Sequence, residues 1–515
     1  MFIRKNHNKN GSITISIVDK KGGIYKFVKT LGTSSDPDEI NRLVHQGGDI
    51  IHGQKSNIKQ QRLIGVKTNA DLAVESFVGK IANDSIRTVG PELIFGTLFD
   101  RLGFNVVPNE LFKHLVVTRL VYPTSKLKTV DYLWRYRGKK ISVDSIYRFL
   151  DTLNKKYKEQ VEKVAFQNTE KLLEKITVVF YDMTTLYFET EDEDDLRKIG
   201  FSKDGKFQQP QIMLGLLVGE GGLPIGYDIF PGNSYEGATL IPTLQKIQVK
   251  YGFGKPIVVA DAGLLSKDNI KKLAEEKYQF IVGGRIKNES EQIKKTILEK
   301  SVDLEDGGGF SVTKPDGTRL IVTHSNKRAR KDAYNRERGL KKLRKQIEFG
   351  KLTKKQINNR GYNKFLLLEG TMKITVDENK ITNDKQWDGL KGYITNTKLD
   401  INKITENYSQ LWQIEKSFRI SKTDLRVRPI YHYRQRRIEA HICIAFVAYA
   451  IYKELERMLR DKKVSFSAER AAELTHNMYG LKYKLPDTNE DQQIILQMDE
   501  EQKILYEIVG RGRGY

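Results

Sequence analysis

The chain has 515 residues, a length that suggests two to four structural units. It carries 88 Lys+Arg against 65 Asp+Glu, a net charge of +23, with 39% hydrophobic residues. That apolar share excludes a fully disordered chain. The single cysteine, Cys443, excludes intramolecular disulfides and a cysteine zinc cage, and fits a reducing compartment.

The longest near-continuous apolar run, Ile442 to Tyr452, is 11 residues, too short to span a bilayer. The N-terminal MFIRKNHNKNGS lacks the apolar stretch of a signal peptide. The expectation is therefore a cytoplasmic, nucleoid-associated protein with no membrane partner. At this charge a polyanion is the leading partner.

Residues 1–35 read as a β-hairpin, with Ile13–Val18 and Ile24–Val28 flanking a Gly-rich turn, and a short helix completes an N-terminal unit, 1–65. Residues 66–173 carry apolar positions at three- and four-residue spacing and read as a helical DNA-binding region. Within it, Ser142 or Asp144 suits the N-cap of a helix over Ile146, Phe149 and Leu150. That helix could read DNA in a helix-turn-helix, or belong to a plain bundle.

From about residue 174 the apolar period changes to two. ITVVFYDMTTLYF, QIMLGLLV and LPIGYDIF read as strands, then a helix over 238–250, the strand PIVVADAGLL, a helix near 267–276 and the strand YQFIVGG. This order predicts a mixed α/β sheet over 174–286. Residues 287–390 read as a β-rich insertion holding a strongly basic helix from about 327 to 347. A strand, GYITNT, a long helix over 401–420 and an apolar helix over 436–460 fill 391–460; the tail, 461–515, reads as polar and helical, ending in RGRGY.

Three acids fall where the apolar pattern points inward, and buried carboxylates are rare without a partner or a task. Asp182 shares a strand face with Val178 and Phe180; on its own it equally suits a strand-end cap or a salt bridge. Asp261 ends an apolar strand before Ala262-Gly263, the usual site position in open α/β sheets, and also a common Asx-turn. Glu415 lies on the helical stripe Ile404, Tyr408, Leu411, Glu415, Phe418, Lys422, where it could instead be half of a polar pair fixing register. Together, three carboxylates can hold two Mg²⁺ ions for phosphodiester displacement, with Mn²⁺ as a substitute.

These segments resemble the DDE transposases of bacterial insertion sequences, in the insertion-sequence-four superfamily and its longer subgroup numbered sixteen thirty-four. VFYDMTTLYFE is similar to the segment bearing the first catalytic aspartate, at Asp182. VVADAGLLS is similar to the second, at Asp261, and YSQLWQIEKSFRISKTDLRVRPIYH to the signature bearing the glutamate, at Glu415. That signature runs Tyr, two residues, Arg, three residues, Glu, six residues, Lys. Tyr408, Glu415 and Lys422 match it, but Leu411 stands at the Arg position, with Arg419 a candidate replacement.

The resemblance implies an RNase H-like core whose acids sit on the first strand, after the fourth strand and on a late helix, with the insertion contacting DNA. It implies cut-and-paste transposition at terminal inverted repeats, in relatives through a DNA hairpin, then joining to target DNA by a homodimer. It also implies that Tyr408, Arg419 and Lys422 grip phosphates beside the metal pair. A structure-selective nuclease or resolvase, and a non-catalytic DNA-binding relic, are the competing readings.

Residues 327–345 hold ten Lys/Arg and two acids, a net of +8, including Lys327, Arg328, Arg330 and Lys331; residues 416–437 hold eight and one, a net of +7. The expected DNA path crosses both clusters. Asn233 and Glu236 read as a turn and helix start, His441 as structural, Trp412 as packing or stacking on a base, Lys126 as a phosphate contact or a turn neighbour, and the acidic run Glu189–Asp195 as a solvated loop.

Overall fold

Three strands, not two, build the N-terminal sheet: β1 (Phe2–His7), β2 (Ile13–Lys21) and β3 (Ile24–Ser34), antiparallel in that order. β1 escapes a pattern reading because FIRKNH is mostly exposed and does not alternate. α1 (Pro37–Lys55) covers one face, burying Ile15 with Ile40 and Leu43. α2 (Asn69–Gly79) starts on a capping box of Thr68 and Asp71.

The computed structural model describes residues 1–21, 23–55, 68–264, 267–352, 357–358, 360–369, 373–485 and 488–510. RGRGY and the last two residues of VVADAGLLS lie outside these. Contacts divide the chain into two units, Met1–Ser85 and Ile86–Tyr515.

The second unit opens with a short β4 (Ile86–Thr88) and the helices α3 (Thr97–Arg101), α4 (Glu110–Val121), α5 (Lys126–Arg137), α6 (Val143–Thr152) and α7 (Lys158–Leu173). Asn109, Ser125 and Ser142 cap α4, α5 and α6 by accepting amide protons of the first turn. Lys126 is buried, its Nζ 3.4 Å from His441 Nδ1, so it faces no phosphate.

The main sheet then forms from β5 (Val178–Tyr187), β6 (Gln211–Val218), β7 (Pro224–Pro231), α8 (Leu240–Tyr251), β8 (Ile257–Ala260), α9 (Lys267–Glu275) and β9 (Phe280–Gly284). β5, β6 and β7 pair antiparallel, while β8 runs parallel to β5 and β9 parallel to β8. The five strands thus lie in the order 3-2-1-4-5 with the second reversed, the RNase H-like arrangement. All eight residues of β6 are buried, the run expected of a strand covered on both faces.

The following segment contains α10 (Glu291–Ser301), β10 (Gly309–Thr313), β11 (Arg319–His324), α11 (Asn326–Glu348), β12 (Leu366–Glu369), β13 (Lys373–Val376) and α12 (Glu378–Lys385), before β14 (Leu390–Thr395). Its first hairpin does not stand apart: β10, β11 and β14 extend the main sheet beyond β9, giving eight strands. The second hairpin, β12–β13, forms a small core with α11 and α12 around Leu340, Leu343, Phe365, Leu366 and Ile381.

The long helix expected over 401–420 is broken into α13 (Ile401–Ser409) and α14 (Trp412–Arg419). α15 (Gln435–Asp461) is buried along most of its length and packs on α4, α6 and α7. His441 on it donates from Nε2 to the Val427 carbonyl at 3.0 Å, a structural role. The tail is not wholly helical: between α16 (Ala468–His476) and α17 (Glu500–Gly510), β15 (Tyr479–Lys484) and β16 (Asp491–Ile495) form a three-stranded sheet with β4. β15 and β16 are short and carry polar residues, and β4, their third strand, is too distant in sequence to leave a local signal of pairing. Among the described residues no helix is long and apolar enough to cross a membrane.

One cation of the basic helix is structural. Arg336 is buried and grips both oxygens of Asp388, at 2.6 Å for Nη1, while Asp384 beside it takes Lys287 and Lys364 at 2.7 Å each. Removing one member of a buried pair strands the other charge. Arg336→Ala should therefore lower stability by about 3 kcal/mol, read as a drop in denaturant midpoint. An unchanged midpoint would place this pair outside the fold's essential contacts.

Candidate active site

The parallel register of β5 and β8 ends with Tyr181 opposite Ala260. The next residues are Asp182, still in β5, and Asp261, the first residue beyond β8. Strand pairing alone therefore brings these two carboxylates level. β8 stops there because Asp261 turns the chain: its Oδ1 accepts the Ala262 amide at 2.7 Å and its carbonyl accepts the Leu264 amide at 3.2 Å.

Asp182 is half-buried and Asp261 exposed, so the second acid is not the interior residue its apolar run suggests. The Asp182 carboxyl is raised to about 6, by burial first, against the pull of Lys203, with Glu236 and Asp261 adding to the rise.

Two of these neighbours were not visible as site residues. Lys203, between β5 and β6, places Nζ 3.9 Å from Asp182 Oδ1 and 2.9 Å from Glu236 Oε1, and donates to the Met183 carbonyl at 2.6 Å. Glu236 does start a helical turn, but its carboxylate also belongs to this group. The signal was strand direction: β7 runs parallel to β5, so the loop after β7 leaves the sheet at the same end as β8.

Next to Lys203, Asp204 binds Lys422 at 3.3 Å and Arg428 at 2.8 Å. Lys422 is half-buried, and burial holds its pKa below the usual lysine range.

The third acid arrives differently. Tyr408, near the end of α13, is buried and donates its hydroxyl to Asp261 Oδ1 at 3.3 Å. Burial pushes this hydroxyl's pKa up, and the charges of Asp261 and Glu415 add to the rise. Gly283 on β9 permits the contact, because a Cβ there would lie 2.7 Å from the Tyr408 hydroxyl.

Glu415 itself is exposed, in the first turn of α14. This corrects the inward stripe. Leu411 and Phe418 of that stripe stay buried, but after the break at Gln410–Leu411 Ile414 and Ser417 turn inward and Glu415 is left in solvent. Trp412 is exposed beside it. The structure thus joins Asp182 to Asp261 and sets Glu415 within electrostatic reach of Tyr408, without gathering all three acids into one group.

Cations rim the Asp261 side. Lys391 Nζ lies 4.4 Å from the Tyr408 ring centre, and burial and nearby Arg328 hold its pKa below the usual lysine range. Arg285 donates to the Ala262 carbonyl at 3.5 Å. Arg328 also pairs with Asp332 at 3.6 Å, whereas exposed Lys327, Arg330 and Lys331 have no ion pair with a described residue.

The second basic cluster is largely spent inside the protein. Lys416 binds Glu456, Lys422 and Arg428 bind Asp204, and Arg436 and Arg437 bind Asp151. Arg419 remains exposed.

The aspartate pair fits a hard divalent cation. Both are oxygen donors, and the Asp182 carboxyl, raised to about 6 by burial and by the nearby acids Glu236 and Asp261, would be relieved by a cation. Among the described residues, however, no three His, Cys, Asp or Glu side chains stand ready as a metal-binding group.

A folded pKa above the ordinary carboxylate value makes the folded state hold its proton longer. Stability then falls as pH rises from about 4 to about 6, and the cost persists above that. Asp182→Asn removes it. The variant should melt higher than the parent at pH 7, by an amount worth about 1–3 kcal/mol, and alike at pH 4. Identical melting at both pH values would show that Asp182 is well solvated.

The transposase DDE domain family matches residues 173–451. The piggyBac transposase in a synaptic complex with hairpin DNA is similar at 10% identity and a TM-score of 0.38, over 75% of this chain and 76% of that one. The Mos1 transposase in a paired-end complex with left transposon end is similar at 12% identity and a TM-score of 0.15, over 30% of this chain and 53% of that one. No curated protein sequence matches. The family match spans more than half of the chain and contains Asp182, Asp261 and Glu415: the chain belongs to the transposase DDE domain family.

Proposed function

We propose that this protein is the transposase of a bacterial insertion sequence. It binds terminal inverted repeats as a homodimer, cuts the element free and joins its 3′-ends to target DNA. The observation that carries this reading is the level placement of Asp182 and Asp261 by β5–β8 pairing, inside the family's matched region.

Asp182, Asp261 and Glu415 are the proposed catalytic and metal-holding residues, for Mg²⁺ or Mn²⁺. Bound divalent cations supply activation of a water or 3′-hydroxyl and stabilisation of the leaving oxygen.

The protein's own groups divide the remaining work. Tyr408 orients Asp261 through its hydroxyl, and Gly283 leaves room for it. Lys203 balances the charge of Asp182 and Glu236 before DNA arrives. Glu415, exposed on α14, is free to approach the aspartates when DNA and cations bring positive and negative charge together at this edge. Lys391, Arg328 and Arg419 offer charge to phosphates. Lys422 would have to leave Asp204 to do the same.

The cations of α11 that have no ion pair with a described residue, Lys327, Arg330 and Lys331, provide a path for the duplex. Phosphate neutralisation releases counterions, so each contact steepens the salt dependence of binding.

Asp182→Asn, Asp261→Asn and Glu415→Gln should each lower Mg²⁺-dependent cleavage of the element's flanking repeats roughly 10³-fold or more while leaving binding in place. Full activity in any of them would remove that residue from the proposed chemistry. Cleavage without a strand-transfer product would instead indicate a nuclease or resolvase. Separately, Lys327→Ala/Arg330→Ala/Lys331→Ala should reduce the salt slope of duplex binding by about 2–3, and an unchanged slope would make this face merely solvated.

A further inference from the structure

The first unit holds a surface that the proposed transposition chemistry does not use. α1 covers one face of the β1–β3 sheet, where Ile3, Ile13, Ile15 and Leu31 point. The register puts Phe2, Arg4, Lys20, Tyr25 and Phe27 on the other face: Phe2 and Phe27 both stand opposite Val18, Arg4 opposite Ser16, and Lys20 opposite Tyr25. Among the described residues of this unit no helix covers that face.

Its aromatic rings are open to solvent, Tyr25 at 54% and Phe27 at 61% exposure. They are also ordered against cations. Lys20 Nζ lies 5.1 Å and Arg4 Cζ 5.9 Å from the Tyr25 ring centre, and Phe2 meets the same ring edge-on at 6.1 Å.

Charge decides what such a face would receive. Of the seven Lys/Arg of residues 1–34, the register puts Arg4 and Lys20 on this face, whereas Lys5, Lys29 and Lys26 lie on the α1 side together with the one acid, Asp19. That acid already pairs with the terminal amine at 3.2 Å. A second copy of the same face would bring like charge against like charge, so self-docking is disfavoured. A hydrophobic partner would leave Arg4 and Lys20 without counter-charges. A nucleic-acid strand supplies both missing halves, phosphates for the cations and flat bases for the exposed rings.

We infer that the uncovered face of the N-terminal sheet binds single-stranded DNA, with an unpaired base stacked on Tyr25 and adjacent phosphates held by Arg4 and Lys20. Duplex DNA fits less well, because its bases are already stacked and cannot reach the rings. The surface would thus take DNA whose strands have been separated, a different substrate from the duplex proposed for α11.

The test uses the full-length protein and fluorescence anisotropy with labelled oligothymidylate, alongside a duplex of equal length. Tyr25→Ala should weaken oligothymidylate binding roughly 5- to 150-fold, and Tyr25→Phe should restore it, because stacking needs the ring and not the hydroxyl. Arg4→Ala/Lys20→Ala should lower the salt slope for the single strand by about 1.4. Duplex affinity should change little in all three, and circular dichroism should confirm that each remains folded.

An unchanged single-strand affinity and slope in these variants would overturn the inference. So would an equal loss on duplex, which would assign the face to backbone phosphates alone. A change of sedimentation from dimer to monomer would assign it to a second copy instead, and would overturn it too. The probe carries no inverted repeat and no cleavage is read, so failure here leaves the proposed transposition untouched.

Discussion

The candidate site depends first on one backbone constraint, the parallel pairing of β5 with β8. Parallel strands keep a fixed register, and a slip of one residue would send every side chain to the opposite face. In this register Val178, Val179, Phe180 and Tyr181 face Ile257, Val258, Val259 and Ala260, so both faces of the pair are buried before either acid is reached. The apolar residues therefore hold the register, and the acids follow from it. Asp182 sits half-buried and is raised toward neutrality, while Asp261 escapes into solvent because β8 ends one residue earlier. Two aspartates of like chemistry acquire different environments from the unequal lengths of their strands.

A second consequence concerns where the positive charge goes. The net +23 invites the picture of a uniformly basic DNA surface. Much of it is instead consumed in holding the polypeptide together. Arg336 locks α11 to Asp388, Arg436 and Arg437 converge on Asp151, and Lys422 and Arg428 converge on Asp204. What distinguishes these from Lys327, Arg330 and Lys331 is the nearness of an acid from a distant part of the chain. A sequence window counts charges but cannot see those partners. The charge that these two clusters leave for a polyanion is therefore smaller than their net charge suggests, and it includes Lys327, Arg330 and Lys331 on the exposed side of α11.

The strand order of the core was legible because each strand carries its own apolar run and the helices between them are short. β1 was not, since its residues are mostly polar and exposed, and neither was the β15–β16 pair, whose third strand, β4, lies at the other end of the unit's sequence. The acids Asp182 and Asp261 were legible as positions, but their exposure was not, because it depends on where β8 stops. Glu415 shows the opposite limit. Its helical spacing was regular, yet Gln410–Leu411 interrupts the helix without a proline or glycine to announce it, and Glu415 leaves the buried stripe that Leu411 and Phe418 keep. Lys203 and Glu236 lay in loops whose meeting requires the folded sheet.

That meeting explains a feature that the two aspartates alone would not. A half-buried carboxylate beside two other acids is costly unless it is protonated or given a cation. Lys203 supplies part of that cation from within the chain, while its own backbone amide is tied to Thr185 of β5 at 3.2 Å. Asp204, the next residue, is fixed by Lys422 and Arg428, which follow α14. The loop that steadies Asp182 is thus anchored to the segment that carries Glu415, and Tyr408 anchors the preceding helix to Asp261. Each aspartate is coupled to the glutamate's helical arm by a separate polar contact. A change in that arm would alter the surroundings of both aspartates together, so the settings of the three acids are linked through shared contacts and are not three independent positions.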